Sequence, residues 1–250
     1  MTTNRVLVAL LAHADDEGAA APALARYARE GVDVYLIIAT DGSGGSGSAG
    51  GYLKRDANIE GDALTKQRAN EAKCAAIALG AREPIFLHFP DGKLGDYLGD
   101  RSVVSRLTAA IAAEIERLRP DVVITWGPDG GTGHPDHRML SSIATQLMRA
   151  GAPGMPERLF YMYLPAEAFR VLSPARGEPP MLFPDDKYFT VRVAFTPDDL
   201  EAAKKAMSCH ASQFSPELLQ RMLPEQTRIW NGHVAFVPAS LGMTGDDLFR

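Results

Sequence analysis

The sequence predicts an α/β fold, a Rossmann-like three-layer structure with a mainly parallel sheet and helices on both of its faces. Apolar, strand-like runs alternate with helical segments over residues 1–150, which is the pattern of a doubly wound sheet. The runs are almost continuously apolar, as strands buried on both faces should be. Two clusters of polar residues directly follow strand-like runs, where ligands bind in open α/β sheets.

The predicted core consists of strands and helices in alternation. Four strands are predicted, at 5–12, 33–40, 85–89 and 121–126. Four helices are predicted from their composition and from the Gly or Pro residues near their ends, at 17–30, 64–80, 102–119 and 135–150.

After residue 150 the pattern is weaker. The further predicted elements are strands at 158–164 and 188–195, a helix at 197–214 and a short helix from Pro216. Thr196 is the expected N-cap of the longer helix, with Pro197 as its first helical residue.

The C-terminal part is expected to extend the same domain. The insertion at 173–187 is rich in proline and charge, but its composition does not mark a domain boundary. We therefore expect one domain over residues 1–250, with a doubly wound core at 1–150. Residues 151–250 would add strands, an insertion loop and C-terminal helices.

Composition argues against nucleic acid and membranes as partners. With a net charge of −5, the chain has no general attraction to phosphate backbones or anionic lipid. No run is long and apolar enough for membrane insertion, and the first strand ends in charge instead of a signal-peptide cleavage site. We expect a cytoplasmic protein whose two cysteines, Cys74 and Cys209, are reduced and packed.

The segment AHADDE at 12–17 lies where the first predicted strand ends. It combines one histidine with three consecutive acids, a charge density that needs either solvent or a cation. Imidazole nitrogen and carboxylate oxygen are both common zinc ligands, and His13 and Asp16 lie three residues apart. Asp15 lies between them and is placed to face a bound water. The alternative is that the acids only cap the following helix.

The segment GGTGHPDHR at 130–138 follows the fourth predicted strand in the same way. Pro135 suits the first helical position, which places His134 at the cap and His137 in the first turn. The positive end of the helix dipole disfavours a charged histidine, and neutral imidazole is the form that binds metal. The alternative here is again capping, by Asp136.

Topology is expected to bring the two segments together. In a doubly wound sheet the strand order commonly reverses beside the first strand, so the fourth strand lies next to it and their carboxyl ends share a crevice. His13, Asp16 and His137 would then supply the three protein ligands of a catalytic zinc site that keeps an open position. Asp15 and His134 would remain for proton transfer.

Together, AHADDE and GHPDH resemble the motifs of the PIG-L/LmbE-like de-N-acetylase family, which includes deacetylases of mycothiol and bacillithiol synthesis. The resemblance covers most of the chain. It extends to Arg68 and Glu71 in an RxxE pattern, to PDG at 90–92 and to HASQ at 210–213, which are individually weak. The family usually has proline after the first histidine, where this chain has Ala14. Since proline is not a metal ligand, the predicted metal site is unaffected.

The resemblance implies a zinc-dependent hydrolase that removes the N-acetyl group from an N-acetylglucosamine-type sugar or conjugate. His13, Asp16 and His137 would bind Zn²⁺, and Fe²⁺ also suits two nitrogens and one oxygen. Asp15 would be the general base, and His134 would stabilise the oxyanion or protonate the leaving amine.

The resemblance also implies how substrate is bound. Arg68, Asp91 and His210 are the predicted substrate-binding residues. The expected partner is a small amino sugar, with no nucleic acid and no membrane insertion. Because enzymes of this family often form oligomers, a homo-oligomer is one of the expected partners.

Two alternatives stay open at this point. One is a metallohydrolase of the same design that acts on a different small amide. The other is a non-catalytic, Rossmann-like nucleotide-binding module, because Gly45, Gly47 and Gly50 match GxGxxG. That match follows the second strand and opens no helix, so a mobile lid is the better interpretation of the 41–62 loop. His88, on an apolar strand, is expected to be a packed and hydrogen-bonded core residue.

Overall fold

The computed structural model describes residues 4–45, 61–96, 100–131, 133–163 and 186–250. Most of the Gly-rich loop and most of the 173–187 insertion lie outside the described residues. The predicted lid, with Gly47 and Gly50 of the GxGxxG match, is therefore among the features that the structure does not describe.

One seven-stranded sheet runs through the described residues. Its strands are β1 (Val6–Leu11), β2 (Asp33–Thr40), β3 (Ile85–Phe89), β4 (Val122–Trp126), β5 (Leu159–Met162), β6 (Val191–Ala194) and β7 (His233–Pro238). The order is β3-β2-β1-β4-β5-β7-β6, with parallel pairs from β3 to β5 and antiparallel pairs on both sides of β7. The predicted mainly parallel sheet is confirmed, and β4 lies beside β1 as predicted.

Helices cover both faces of this sheet. Those in the described part of the chain are α1 (Ala21–Arg29), α2 (Asp62–Leu79), α3 (Arg101–Leu118), α4 (Pro135–Arg149), α5 (Pro197–Cys209) and α6 (Pro216–Trp230). Leu7, Ala9 and Leu11 of β1 share one apolar core with residues of α1, α2, α5 and α6. Val8 and Leu10 point to the opposite face and pack with residues of α3 and α4. These two cores confirm the three predicted layers. None of the helices described is both long and apolar enough to cross a membrane.

The helix predicted over 197–214 is too long, because α5 ends at Cys209. Beyond it, the carbonyl of His210 accepts hydrogen bonds from the N–H groups of Gln213 and Phe214. These bonds close a compact turn in place of a further turn of helix.

Three other element predictions differ from the structure. The helix that begins at Pro216 runs to Trp230 and is therefore not short. The helix predicted at 17–30 is split, since a 3-10 helix over Asp16–Ala19 precedes α1. β7 has no counterpart among the predicted elements, because its place between β5 and β6 comes from antiparallel pairing in the folded chain.

The two cysteines form a disulfide, so the prediction that they are reduced is wrong. Cys74 lies in α2 and Cys209 ends α5, and their Cα atoms are 5.8 Å apart. The packing of α2 against α5 brings them together across a sequence separation of 135. Disulfides persist mainly in oxidising compartments. The bond therefore gives no support to the predicted cytoplasmic location, which stays a prediction.

His88 is exposed, so its predicted place in the core is wrong. β3 is an edge strand of the sheet and therefore has a neighbouring strand on one side only. At the end of this strand, His88 takes φ 56°, and its ring stacks on Phe86 with centroids 5.9 Å apart.

Candidate metal centre

The loop from β1 into the 3-10 helix folds tightly round the side chain of Asp16. Oδ2 of Asp16 accepts hydrogen bonds from the backbone N–H groups of Ala12 and His13, both at 2.9 Å. The other oxygen, Oδ1, lies 3.1 Å from Nε2 of His137. One oxygen of this carboxylate therefore stabilises its own loop, and the other faces the second motif.

The ring of His137 is held on two sides. Its Nδ1 lies 2.8 Å from the carbonyl oxygen of Gly130, and its ring stacks on Trp126 with centroids 4.7 Å apart. Since a carbonyl only accepts, Nδ1 carries the proton and Nε2 keeps a free lone pair. Gly130 has φ +84°, and a Cβ there would lie 2.8 Å from the carbonyl oxygen of His134. The loop that orients His137 thus requires glycine.

The ring of His13 is oriented by two carboxylates. Its Nε2 lies 3.1 Å from Oδ1 of Asp91 and 3.3 Å from Oδ2 of Asp136. Ionised carboxylates only accept hydrogen bonds, so Nε2 carries the proton and Nδ1 of the neutral ring carries a lone pair. Carboxylate–histidine pairs of this kind orient metal ligands and fix their tautomer.

Asp91 and Asp136 are themselves held by other donors. Oδ2 of Asp136 accepts from the N–H of Gly92 at 2.8 Å, and Oδ1 accepts from the N–H of Leu94 at 2.9 Å. Oδ2 of Asp91 accepts from Nη1 of Arg68 at 3.1 Å. Although both acids have an oxygen within 4.8 Å of a nitrogen of His13, these bonds make them supports for its ring rather than metal ligands.

In the neutral rings, two imidazole nitrogens and one carboxylate oxygen that each carry a lone pair lie close together. Nδ1 of His13 lies 3.1 Å from Nε2 of His137, which in turn lies 3.1 Å from Oδ1 of Asp16. Two ligand atoms that each lie about 2.0–2.1 Å from a tetrahedral zinc ion are about 3.3 Å apart. The chemistry and spacing of these donors therefore fit a divalent metal, and the three predicted ligands lie together.

The charge of the centre also favours a cation. The side chains of Asp16, Asp91 and Asp136 are each 6% exposed or less. Burial alone would lower the pKa of His13, but hydrogen bonds to these carboxylates raise it well above its ordinary value. Burial likewise opposes ionisation of Asp16, yet its pKa is lowered by His137 and His13. Both shifts mean that added positive charge, as a proton or a metal ion, is stabilised here.

Asp15 lies at the accessible rim of the centre. Its side chain is 22% exposed, whereas that of Asp16 is 6% exposed. Burial raises the pKa of Asp15 to about 6, against the lowering effect of the Arg68 guanidinium. Nη2 of Arg68 donates to Oδ1 of Asp15 at 3.3 Å. Asp15 is thus an accessible carboxylate that binds a proton more readily than an ordinary aspartate.

His134 is the N-cap of α4, as predicted. Its Nδ1 accepts a hydrogen bond from the N–H of Asp136 at 3.2 Å, so the ring proton lies on Nε2. Burial, followed by the proximity of His13 and His137, lowers the pKa of His134 to about 4. One ring nitrogen from each of these three histidines lies within 4.8 Å of the others. His134 is therefore a neutral hydrogen-bond donor beside the candidate ligands.

Arg68, on α2, lies beneath the centre and is 3% exposed. Nη2 donates to the carbonyl of Ala14 at 2.7 Å, and Nη1 donates to the carbonyl of Gly42 at 3.2 Å. A Cβ at Gly45 would lie 1.9 Å from Nη1, so the start of the Gly-rich loop packs directly on the guanidinium. Together with its bonds to Asp15 and Asp91, this makes Arg68 a support for the acids, and its contact with substrate stays a prediction.

His210 lies behind the first motif, at the C-terminal end of α5. Its ring is 1% exposed, and Nε2 is hydrogen-bonded to Oε1 of Glu17, which is also 1% exposed. Burial would lower the pKa of His210, but the Glu17 carboxylate raises it above its ordinary value. The nearby Ser212 donates from both its N–H and its hydroxyl to the carboxylate of Glu71 on α2. A substrate contact of His210 stays a prediction, as does one of Asp91.

Two acids of this centre, Asp136 and Glu17, are missing from the predicted set. Both follow a predicted functional residue directly or within two positions, and both resemble simple helix caps in sequence. Asp136 contacts His13 across 123 residues, and Glu17 contacts His210 across 193 residues. The sequence signal that could have identified these two acids is their position inside the two motifs.

Comparison with known proteins identifies relatives of this chain. The family of PIG-L, the GlcNAc-PI de-N-acetylase, matches residues 8–148. The 1D-myo-inositol 2-acetamido-2-deoxy-alpha-D-glucopyranoside deacetylase of Rhodococcus jostii is 32% identical, over 84% of this chain and 82% of that protein. The crystal structure of the A40926 pseudoaglycone deacetylase has a TM-score of 0.68 at 21% identity, covering 94% of this chain and 96% of its own. The zinc-inhibited form of teicoplanin deacetylase has a TM-score of 0.64 at 16% identity, covering 93% and 97%.

The family match includes both motifs and the strands that carry them, and the Rhodococcus relative extends the similarity over most of the chain. The two solved structures share the fold of this protein. The chain therefore belongs to the GlcNAc-PI de-N-acetylase family and is an N-deacetylating hydrolase.

Proposed function

We propose that this protein hydrolyses the N-acetyl group of an N-acetylglucosamine-type sugar or conjugate, with a divalent metal held by His13, Asp16 and His137. The observation that carries the proposal is the close grouping of two ring nitrogens and one carboxylate oxygen next to the accessible carboxylate of Asp15. Zn²⁺ suits two nitrogens and one oxygen with an open position, and Fe²⁺ is the second candidate. The acetamido sugar in the name of the Rhodococcus relative supports the substrate class.

Asp15 is the general base in this proposal. When bound, a metal of this type lowers the pKa of water and polarises an amide carbonyl. Asp15 accepts the proton of the attacking water, for which its accessibility and its pKa of about 6 are suited. Because Arg68 holds Oδ1, the second oxygen of Asp15 is left for the water.

His134 stabilises the developing oxyanion. Its proton lies on Nε2, so the ring can donate a hydrogen bond as the amide carbon becomes tetrahedral. With a pKa of about 4, His134 is neutral at pH 7 and does not hold a proton for the leaving group. Asp15, which has taken the proton from water, is then the acid that passes it to the leaving amine. The products are the free amine and acetate.

The remaining predicted residues, Arg68, Asp91 and His210, support the groups that surround the reacting atoms. Asp91 orients His13 and is held by Arg68, and His210 lies behind the loop through Glu17. This last contact joins the end of α5 to the 3-10 helix that follows β1, which supports one functional domain over residues 1–250.

Metal content and acetate release should be measured together on the wild type and on Asp16→Ala. We expect about one zinc or iron per wild-type chain, with metal and acetate release both lost in the variant. Asp247→Asn is the control: this buried acid hydrogen-bonds to Tyr27, near the far end of α1, and should keep both properties.

The outcomes separate the parts of the proposal. Wild type that takes up no metal, even after reconstitution, would contradict the metal site. Wild type that holds metal but releases no acetate from amino-sugar substrates would contradict the substrate class. A panel of other N-acyl compounds would then test the alternative of a different small amide.

A further inference from the structure

We infer that Glu17, backed by His210, is a positioning residue that holds the backbone of Asp15 in the conformation its catalytic role requires. This inference rests on the proposed role of Asp15 as the base. Nothing in the sequence pattern assigns such a role to Glu17, since an acid at this position suits the first turn of a helix.

Asp15 has an unfavourable backbone. Its φ of 109° and ψ of −17° lie on the left-handed side, which non-glycine residues rarely adopt. Such conformations persist at functional sites only where the surrounding structure imposes them. The backbone of Asp15 must therefore be held by specific contacts.

Glu17 supplies one of these contacts from its side chain. The N–H of Asp15 donates to Oε2 of Glu17 at 3.1 Å. On the other side of the residue, the N–H of Gly18 donates to the carbonyl of Asp15 at 3.1 Å. The carbonyl of the preceding Ala14 accepts from Arg68 at 2.7 Å. Both peptide groups of Asp15 are thus held, and the Glu17 carboxylate holds the one that leads from the metal-ligand loop.

His210 in turn fixes Glu17. Oε1 of Glu17 is bonded to Nε2 of His210, so each carboxylate oxygen has its own partner. The backbone of His210 is set by the end of α5 and by the turn that Gln213 and Phe214 close on its carbonyl. The carboxylate cannot rotate without losing one of these two bonds.

Burial argues against a direct chemical role for this pair. Glu17 and His210 are each 1% exposed, whereas a general base must reach the attacking water. Asp15 is the exposed member of the set, at 22%. The chain of contacts from α5 through His210 and Glu17 to Asp15 is therefore suited to positioning the base.

The test compares two substitutions of similar side-chain length at Glu17. Glu17→Gln keeps an oxygen that can accept the N–H of Asp15, whereas Glu17→Met keeps the volume but has no such acceptor. We expect Glu17→Met to lower kcat about 10- to 100-fold, because small misplacements of catalytic groups have effects of that size. KM and metal content should stay near wild-type values, and Glu17→Gln should restore kcat to within about threefold of wild type.

Asp247→Asn controls for the loss of a buried acid far from the centre. It should keep the wild-type kcat even where it lowers stability. Unchanged kcat in Glu17→Met would overturn the inference. Equal losses in Glu17→Met and Glu17→Gln would also overturn it, since the charge of Glu17 would then matter more than its acceptor. If Glu17→Met does not fold, a kcat of Glu17→Gln more than about threefold below that of wild type would overturn the inference.

A crystal structure of Glu17→Met, or of Glu17→Ser where the former does not fold, separates this inference from the proposed function. Without the acceptor, Asp15 should leave the positive-φ region. Asp15 retained at positive φ would overturn the inference whether or not the wild type proves to be a deacetylase. A wild type that holds metal and releases no acetate would overturn the proposed function, and the conformation of Asp15 would still decide the role of Glu17.

Discussion

His13 and His137 approach each other through ring nitrogens, with Nδ1 of one 3.1 Å from Nε2 of the other. In the neutral rings neither atom carries a proton, because the second nitrogen of each ring donates elsewhere. His13 donates to carboxylates, and His137 donates to the carbonyl of Gly130. Two facing lone pairs repel unless a cation lies between them. Metal affinity should therefore depend on the groups that set the tautomer of each ring.

Asp136→Asn should weaken metal binding about 10- to 100-fold, the usual effect of losing an outer partner of a ligating histidine. The amide can present its NH₂ group to Nε2 of His13, which would move the ring proton to Nδ1 and block the lone pair. Competition with a chelator measures the affinity. Asp247→Asn should bind metal like wild type, and equal affinity in Asp136→Asn would show that His13 is oriented by other groups.

Asp15→Asn should keep its metal and lose turnover, by about 10²- to 10⁴-fold in kcat, because the amide cannot accept a proton. In the wild type, kcat/KM should fall as Asp15 becomes protonated in acid. Burial raises its pKa to about 6, and a bound cation would lower it, so this fall should lie at or below pH 6. The residual activity of the variant should lack the same fall. Normal turnover in Asp15→Asn would mean that another group is the base.

Gly45→Ala should reduce kcat/KM although Gly45 belongs to a loop. The added Cβ would lie 1.9 Å from Nη1 of Arg68, which must then move away from Asp91 and the carbonyl of Gly42. A displacement of that size can cost on the order of 100-fold in rate. Ser43→Ala, in the same loop, adds no volume and serves as the control. Equal kinetics for the two variants would show that the loop can yield without disturbing Arg68.

The disulfide should contribute strongly to stability. Cys74 and Cys209 are 135 residues apart in sequence, and a cross-link of this kind typically adds about 2–5 kcal/mol by restricting the unfolded chain. The double variant Cys74→Ser/Cys209→Ser should lose that amount in urea unfolding. A reductant should lower the stability of wild type to that of the double variant and leave the variant unchanged. Wild type with two titratable thiols would contradict the bond itself.

Asp199→Asn should lower stability at neutral pH but not in acid. Asp199 completes the capping box of α5 with Thr196 and pairs with Arg29 at 2.8 Å. Burial would raise its pKa, but the bond to Arg29 lowers it below the ordinary value. A lowered pKa stabilises the folded state above the unfolded value of about 3.9, and this stabilisation is lost as the pH falls through the folded value. Urea unfolding of wild type and variant should differ at pH 7, and the difference should shrink as the pH falls below about 4. A difference that persists in acid would exclude the Asp199 charge as its cause.

Local patterns in the sequence determined the framework of this protein. Buried parallel strands are continuous apolar runs, so β1, β2 and β4 could be placed within a residue or two of their bounds, and the shorter apolar run of β3 could be placed equally well. The rule that ligands bind at carboxyl ends of strands then brought the two motifs together, and the structure does place His13, Asp16 and His137 side by side. The N-cap at Thr196 could also be predicted from the local sequence, because its hydrogen bonds span three residues.

Only the tertiary structure decided which groups support those ligands. The contact of His13 with Asp136, the contact of Glu17 with His210, and the disulfide of Cys74 with Cys209 each join residues more than a hundred positions apart. Such contacts depend on how whole helices pack on the sheet, which periodicity along one segment does not contain. For the same reason, neither β7 nor the exposure of His88 could be predicted from the sequence. Each depends on the order of the strands in the sheet and on which strands lie at its edge. The sequence predicted which residues form the candidate metal centre, and packing across the layers determined how those residues are held.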